Sequence, residues 1–211
     1  MKWTREHIEC VVYWMRHIGL HPNLGDLNLS GLDLSDLDLR LVSLSRSILV
    51  GSDLRGANLR QAEMRQCDLT LARMQNARLY HADLRQARLV KTNLMNSNLC
   101  YADLREAHVE GAWMLETTMY GAVLHQTRFV ECRMVGVVIA DYNAGDMLTA
   151  LGEDALGVEC ALDRLAEFGV HTVWHRRAMG EGEFVDPPGW ATNRPSSLLR
   201  WGFPADDAIS D

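Results

Sequence analysis

A period of five residues runs without interruption through the middle of this chain. Every fifth residue from Leu24 to Ile139 is apolar, which makes 24 consecutive positions. Neither the helical period of about 3.6 residues nor the strand period of about 2 divides five, so the pattern predicts neither an amphipathic helix nor a flat strand. A short fixed period is typical of a solenoid, in which neighbouring repeats stack on one another.

A second series, made of small residues, lies two positions before each large one. From Ala57 to Cys132 every fifth residue is alanine, serine, threonine or cysteine. Residues two apart on an extended segment point to the same side, so each repeat places one large and one small side chain inside. A single repeat cannot bury its own apolar face, so the repeats must stack. In the first repeats the small position holds larger residues, which predicts a wider or distorted beginning: Leu27, Leu32, Leu37 and Val42.

Six glycines indicate where the chain turns, because each lies two residues after a large one, at a corner position that favours glycine. They are Gly31, Gly51, Gly56, Gly111, Gly121 and Gly136.

The motif Ala-(Asp or Asn)-Leu-x-x resembles the pentapeptide repeat family. It occurs at Ala57-Asn58-Leu59, Ala82-Asp83-Leu84 and Ala102-Asp103-Leu104. The resemblance implies an all-β solenoid, a right-handed quadrilateral β-helix with four repeats per coil and about six coils. At about 4.8 Å per layer, such a rod is roughly 29 Å long. The resemblance covers residues 22–141, which form the predicted repeat domain.

Two non-repeating segments flank this domain. Residues 1–21 predict a capping helix with Thr4 as N-cap and Gly19 as its end; a helix that binds a partner is the alternative. Its apolar face consists of Ile8, Val11, Val12, Met15 and Ile18. Residues 142–211 predict a helix over 153–168, a strand over 170–175 and an irregular end. The aromatic residues of this segment are expected to pack onto the rod or onto a second chain: Trp174, Trp190, Trp201 and Phe203.

The net charge of −7 is unevenly distributed along the chain. Residues 22–141 carry 13 basic and 14 acidic groups, whereas residues 142–211 carry 5 basic and 12 acidic groups. The rod is therefore almost neutral, and the excess acidity lies in the C-terminal segment. We expect no direct binding of nucleic acid.

With four repeats per coil, residues 20 apart stack on one outer face. On one face an acidic ladder lies beside a basic ladder, and we interpret it either as mutual charge compensation or as a recognition surface. These two ladders consist of Glu63, Asp83 and Asp103, and of Arg65, Arg85 and Arg105.

Another face becomes apolar towards its C-terminal end, and exposed apolar patches usually mark a contact. Its occupant is either this protein's own C-terminal segment or twin, or a foreign partner. The residues predicted to bind it are Met95, Trp113, Leu115 and Val135, extended by Tyr80, Tyr101 and Tyr120.

The chain contains no motif for chemistry. Phosphate loops and nucleophile elbows are absent from the sequence, and a solenoid wall offers no closed pocket. His171, His175 and Cys160 lack a fourth zinc ligand, so neither a metal nor a cofactor is expected. Cys67 and Cys132 occupy interior positions, whereas Cys100 is expected to point outward as a surface thiol. The sequence therefore predicts a protein that is not an enzyme.

The architecture favours a rigid module that binds and regulates or scaffolds a partner protein. The resemblance adds an alternative, since family members of the Qnr and MfpA type mimic DNA. They bind DNA gyrase or topoisomerase IV, and thereby give resistance to quinolones or to topoisomerase-poisoning toxins. It also implies a homodimer through the C-terminal segment, and the family includes developmental regulators and secreted effectors.

An odd number of cysteines without paired spacing favours a reduced, cytoplasmic setting. Residues 1–20 contain several charged side chains, so we expect neither a secretory signal nor a membrane span.

Overall fold

The computed structural model of the chain describes residues 3–140, 144–151 and 170–173. Regular elements are few, because most strand pairings involve a single residue per repeat. The elements are helix α1 (Arg5–His17), strands β1 (Arg88–Val90), β2 (His108–Glu110), β3 (Arg128–Val130) and β4 (Val137–Ala140), helix α2 (Ala144–Ala150) and strand β5 (Val170–Val173).

A solenoid of parallel pairings connects residues that lie 20 positions apart. The pairings begin at Asn23 with Ser43 and continue to Thr118 with Val138. β1, β2 and β3 form a three-stranded parallel sheet with the same offset. Twenty residues correspond to four five-residue repeats, so the register fits four repeats per coil. The right-handed quadrilateral form and the count of six coils remain predictions.

Each corner of the coil is a tight turn with a left-handed residue. The carbonyl of Leu54 accepts from the N–H of Ala57 at 3.1 Å, and Gly56 has a φ of 67°. A positive φ at the third residue defines a type II turn. The same left-handed conformation recurs at every fifth residue from 26 to 136, and non-glycine residues such as Leu71 adopt it too. The six glycine corners predicted from the sequence are therefore examples of a conformation that all these corners share.

The two interior columns are confirmed. All large positions from Leu24 to Ile139 are buried, as are all small positions from Ala57 to Thr127, and Cys132 is half-buried. Polar residues at the small position find partners inside the solenoid. The hydroxyl of Ser97 donates to the carbonyl of Leu94 at 2.6 Å, that of Thr117 donates to the same carbonyl from the next coil at 2.8 Å, and the hydroxyl of Ser47 lies 3.5 Å from the Cys67 sulfur. Polar side chains thus enter this core where a partner lies within reach.

The first coil, for which a wider or distorted beginning was predicted, keeps the register of the later coils. The 20-residue pairing already holds at Asn23, although the small position there carries leucines. These leucines are half-buried and pack against the core cluster that also contains Ile8 of α1: Leu27, Leu32 and Leu37. Because this coil lies at the end of the solenoid, the larger side chains meet α1 rather than a preceding coil.

Helix α1 covers that end, as predicted. The hydroxyl of Thr4 accepts from the N–H of His7, so Thr4 is the N-cap. Gly19 has a φ of 75°, and the N–H of Leu20 donates to the carbonyl of Met15 at 2.8 Å. These contacts form a Schellman motif, which ends the helix. Ile8 and Val12 are buried. Ile18 was wrongly assigned to the apolar face, since it is the C-cap and 62% exposed.

At the other end of the solenoid, β5 pairs in parallel with β4, Val137 opposite Val170. The offset is 33 residues instead of 20, because the non-repeating chain between the two strands includes α2. β5 confirms the strand predicted within 170–175, whereas α2 was not predicted. The predicted helix over 153–168 and the aromatic residues from Trp174 onward lie outside the described residues. No helix among the described residues is long and apolar enough to span a membrane.

Candidate protein-interaction surface

The charged ladder is a connected network of ion pairs. Arg85 bonds Asp83 in the same repeat at 2.8 Å, and it also reaches Asp103 of the following coil at 3.5 Å. Arg65 donates to Asp83 at 2.5 Å, and Arg105 pairs with Asp103 at 2.6 Å. Each carboxylate therefore contacts an arginine from its own repeat and another from the preceding coil.

This arrangement favours charge compensation over recognition. Burial tends to raise the pKa of Asp83, but the hydrogen bonds from Arg85 and Arg65 outweigh it, and the pKa lies below its usual value. The carboxylate stays ionised and is neutralised by its neighbours, so the ladder has no sustained field of one sign. Glu63 takes part in no ion pair within residues 3–140, so the acidic ladder begins to be paired only at Asp83.

A second, deeper ion-pair cluster surrounds Asp53. Its side chain is 7% exposed and bonds Arg55 at 2.7 Å and Arg73 of the next coil at 2.6 Å. The hydrogen bond from Arg55 is the main cause that lowers the pKa of Asp53. Near the N-terminal end, the hydrogen bond from Arg40 likewise lowers the pKa of Asp38 to about 2. Both carboxylates therefore favour the folded state when they are ionised.

These ion pairs predict a loss of stability in acid. A carboxylate whose pKa is lower in the folded state contributes stability above its unfolded pKa, and this contribution disappears as the pH falls through the folded pKa. For Asp38 that window runs from the ordinary value of 3.8 down to about 2. We expect the free energy of unfolding, measured by urea titration, to fall between about pH 4 and pH 2. In Asp53→Asn the free energy of unfolding should depend less on pH in this window. The same pH dependence as in wild type would contradict the stabilising role assigned to the Asp53 carboxylate.

The apolar face carries the most exposed large side chains of the last coils. Trp113 is 43% exposed and Val135 65%, while Met95 and Leu115 are half-buried. The guanidinium carbon of Arg133 lies 4.6 Å from the centroid of the Trp113 ring, a cation–π contact. Arg133 therefore holds the indole in place while leaving part of it open to solvent.

The column that contains Leu115 changes character along the rod. In the earlier coils its members are Arg55 and Gln75, and in the later coils they are Met95, Leu115 and Val135. Arg55 is bound in the Asp53 cluster. The surface thus passes from ion-paired to apolar from the N-terminal towards the C-terminal end.

The three tyrosines form an aromatic ladder in the neighbouring repeat. The rings of Tyr80 and Tyr101 lie 5.5 Å apart, and those of Tyr101 and Tyr120 lie 5.7 Å apart, both edge to face. His81 stacks on Tyr101 at 5.2 Å, and Arg60 lies 5.5 Å from the Tyr80 ring. All three tyrosines are half-buried, so the ladder offers ring edges rather than free side chains.

Sequence reasoning missed two members of this surface, Arg133 and His81, which hold aromatic rings. On the other faces, Val123 follows Asp103 in the column of the acidic ladder and Val130 lies in β3, and each is 42% exposed. The 20-residue register could have found Arg133, since it lies one coil after Trp113 in the same column. The two valines could have been found as outward positions within the repeat.

Cys100 was wrongly predicted to be a surface thiol. Its side chain is fully buried, and burial raises the pKa of the thiol to about 12. Its column neighbours one coil away are Tyr80 and Tyr120, whose larger side chains flank it. Cys67 is buried as predicted, and burial raises its pKa to about 11. Within the described ranges, no group of His, Cys, Asp and Glu side chains could hold a metal ion.

Comparison with known families identifies the repeat. The sequence model described as "Pentapeptide repeats" matches eight copies, including residues 23–61, 38–76, 47–86 and 77–114. The repeat region of the chain therefore belongs to the pentapeptide repeat family, and its fold is the family's β-helical solenoid. No curated protein matches the chain significantly.

Solved structures with similar folds are also pentapeptide repeat proteins. One is Rfr23 from the cyanobacterium Cyanothece 51142, which is 22% identical and has a TM-score of 0.39. The similarity covers 62% of this chain and 94% of Rfr23. HetL from Nostoc sp. PCC 7120, involved in heterocyst differentiation regulation, has 19% identity, coverages of 62% and 79% and a TM-score of 0.25. QnrB1, a plasmid-mediated fluoroquinolone resistance protein, has 18% identity, coverages of 62% and 86% and a TM-score of 0.30.

Proposed function

We propose that this chain is a non-enzymatic protein-interaction module, a right-handed quadrilateral rod of about six coils that binds and regulates or scaffolds a partner protein. The observation that carries this proposal is the passage from ion-paired columns to exposed apolar side chains near the C-terminal end of the rod. A self-contained rod has no need of Trp113 and Val135 on its outer surface, because its core is already complete without them.

The partner would bind the apolar patch, defined here as Met95, Trp113, Leu115 and Val135. Tryptophan, methionine and arginine are enriched at protein interfaces, and a fixed aromatic ring in the centre of a patch is typical of an energetic hot spot. Arg133 restrains the indole before binding, which reduces the entropy lost on association. The ladder of Tyr80, Tyr101 and Tyr120 would extend the contact.

DNA gyrase or topoisomerase IV is the alternative partner. Mimicry of DNA requires a sustained negative potential along the rod. The pairing of Asp83 and Asp103 with arginines argues against such a potential on this face. A supercoiling assay tests the alternative directly: if micromolar protein neither inhibits gyrase nor protects it from a quinolone, the topoisomerase hypothesis fails.

We further propose a cytoplasmic setting, since the four cysteines in the described part of the chain are unpaired: Cys10, Cys67, Cys100 and Cys132.

The main proposal predicts that substitution of the patch removes the partner without unfolding the rod. Tagged wild-type protein would be used to capture partners from cells of the source organism, in parallel with Trp113→Ser/Val135→Ser. The matched control is Ile48→Ser/Leu71→Ser, which removes two apolar side chains of similar exposure, 43% and 54%, from earlier coils. We expect at least about a tenfold loss of the captured partner for the patch variant only. Equal capture by all three proteins would remove the patch from the proposal.

A further inference from the structure

The outward face of helix α1 exposes two large aromatic side chains, although a capping helix needs only its inward face. Tyr13 is 63% exposed and Trp14 60%, and at the end of the helix Ile18 and Leu20 are 62% and 53% exposed. A helix that only covers a core is normally polar on its other side. Capping is achieved by Ile8 and Val12, so it does not account for the exposed aromatic rings.

The aromatic side chains form one ordered cluster on this face. The Tyr13 and Trp14 rings lie 5.7 Å apart, edge to face, and the His17 ring stacks on Tyr13 at 6.0 Å. Trp14 and His17 are also in edge-to-face contact at 6.0 Å. Contacts within the cluster restrain the rings but leave them exposed, and restrained aromatic side chains lose little entropy on binding.

A groove between α1 and the first coil lies beside the cluster. Its volume is about 430 Å³, and Tyr13, Arg16 and His17 line it on one side, with Leu37 and Leu39 on the other. The groove floor on the solenoid side is formed by the half-buried Leu37 and the buried Leu39, and the Arg16–Asp38 ion pair lies at its edge.

The outward face of α1 carries an acidic side chain near its beginning and a histidine near its end. Glu6 lies in the first turn and His17 in the last. Glu9 and Arg16 are already paired within the chain, with Arg5 at 2.7 Å and with Asp38 at 3.1 Å. If two such helices pack antiparallel about a two-fold axis, the first turn of each faces the last turn of the other. An axis midway between positions 6 and 17 places each Glu6 opposite the other copy's His17. The aromatic cluster then lies at the centre, beside Cys10.

We propose that the outward face of α1, comprising Glu6, Cys10, Tyr13, Trp14 and His17, binds the same face of a second copy of this chain. A contact of this kind uses one surface twice and closes at two copies. It joins two rods end to end at their N-terminal caps and leaves the apolar patch of each rod free. The inference is independent of the function proposed above, because it concerns the opposite end of the molecule.

Sedimentation velocity of the full chain tests the proposal. We expect wild type to be a dimer and Tyr13→Ser/Trp14→Ser to be a monomer, with a dissociation constant raised by at least about 100-fold. Ile48→Ser/Leu71→Ser and Trp113→Ser/Val135→Ser should remain dimers. Circular dichroism of each variant checks its fold, and the substituted side chains are all exposed. A monomeric wild type would overturn the proposal. A dimer that survives in Tyr13→Ser/Trp14→Ser would also overturn it and would indicate pairing through residues 142–211.

A second measurement tests the antiparallel arrangement itself. Cys10 is exposed on the same face, and the axis described above brings the two copies of Cys10 close together. A short bismaleimide should therefore cross-link wild type into covalent dimers, whereas Cys10→Ser should remain dimeric in solution but resist cross-linking. Failure of wild-type dimers to cross-link, or equal cross-linking of Cys10→Ser, would contradict this geometry.

Discussion

Replacement of Leu84 by alanine is expected to lower the free energy of unfolding by about 2–5 kcal/mol. Leu84 is fully buried in the middle of the column of large residues, with Met64 and Leu104 one coil before and after. Its N–H is bonded to the carbonyl of Asp103, so the backbone there is fixed by the next coil. The coils therefore cannot collapse to fill the space, and a cavity should remain.

The matched control is Leu71→Ala, the same substitution on a leucine that is 54% exposed at a corner. Urea unfolding followed by circular dichroism measures both variants. We expect Leu71→Ala to change the free energy of unfolding by less than about 0.5 kcal/mol, as is usual for surface positions. Similar losses for the two variants would mean that the interior column does not dominate the stability of the rod.

Replacement of Ala82 by leucine should also be destabilising, here because the core has no spare volume. Ala82 lies in a column of alanines, with Ala62 one coil before and Ala102 one coil after, and all three are buried. A leucine would have to displace the neighbouring large side chains or separate coils that are bonded to each other. Overpacking of this kind typically costs about 1–3 kcal/mol.

Ala82→Ser provides the control for this prediction. Ser52 and Ser97 occupy the equivalent position in other repeats, where their hydroxyls donate to a nearby backbone carbonyl at 2.8 and 2.6 Å. We therefore expect Ala82→Ser to cost less than about 1 kcal/mol in the same urea experiment, because its hydroxyl finds an acceptor. If Ala82→Leu proved as stable as wild type, the size restriction at this column would be refuted.

The interior of the solenoid could be predicted because one physical requirement repeats in every unit. Each repeat must bury one large and one small side chain. The size of an apolar residue such as Leu84 or Ala82 therefore shows which interior column it occupies. The corners were harder to predict. Leu71 and Lys91 adopt a left-handed conformation that their residue types disfavour, because the stacked coils impose it.

The outer surface could be predicted only in part, since it depends on neighbours in other coils. The sequence pattern predicts that Trp113 lies outside. Its contact with Arg133 can be predicted only once the 20-residue register is known. Cys100 shows the same limit. Its position within the repeat faces outward, yet its large column neighbours bury it. At the ends the period stops, and α2 was missed because no repeat constrained it.

The 20-residue register has a consequence for how such a protein can change its length. Loss or gain of one five-residue unit leaves the sequence of large and small interior residues unbroken, so the core remains competent to form. On the outside, however, everything beyond the change advances by a quarter of a coil. The apolar patch would then point in a new direction relative to α1, and the arginine–aspartate pairs that span the point of change would lose their partners. The angle between the two ends of the rod is thus set by a count of repeats, and it can vary without a single substitution in the core.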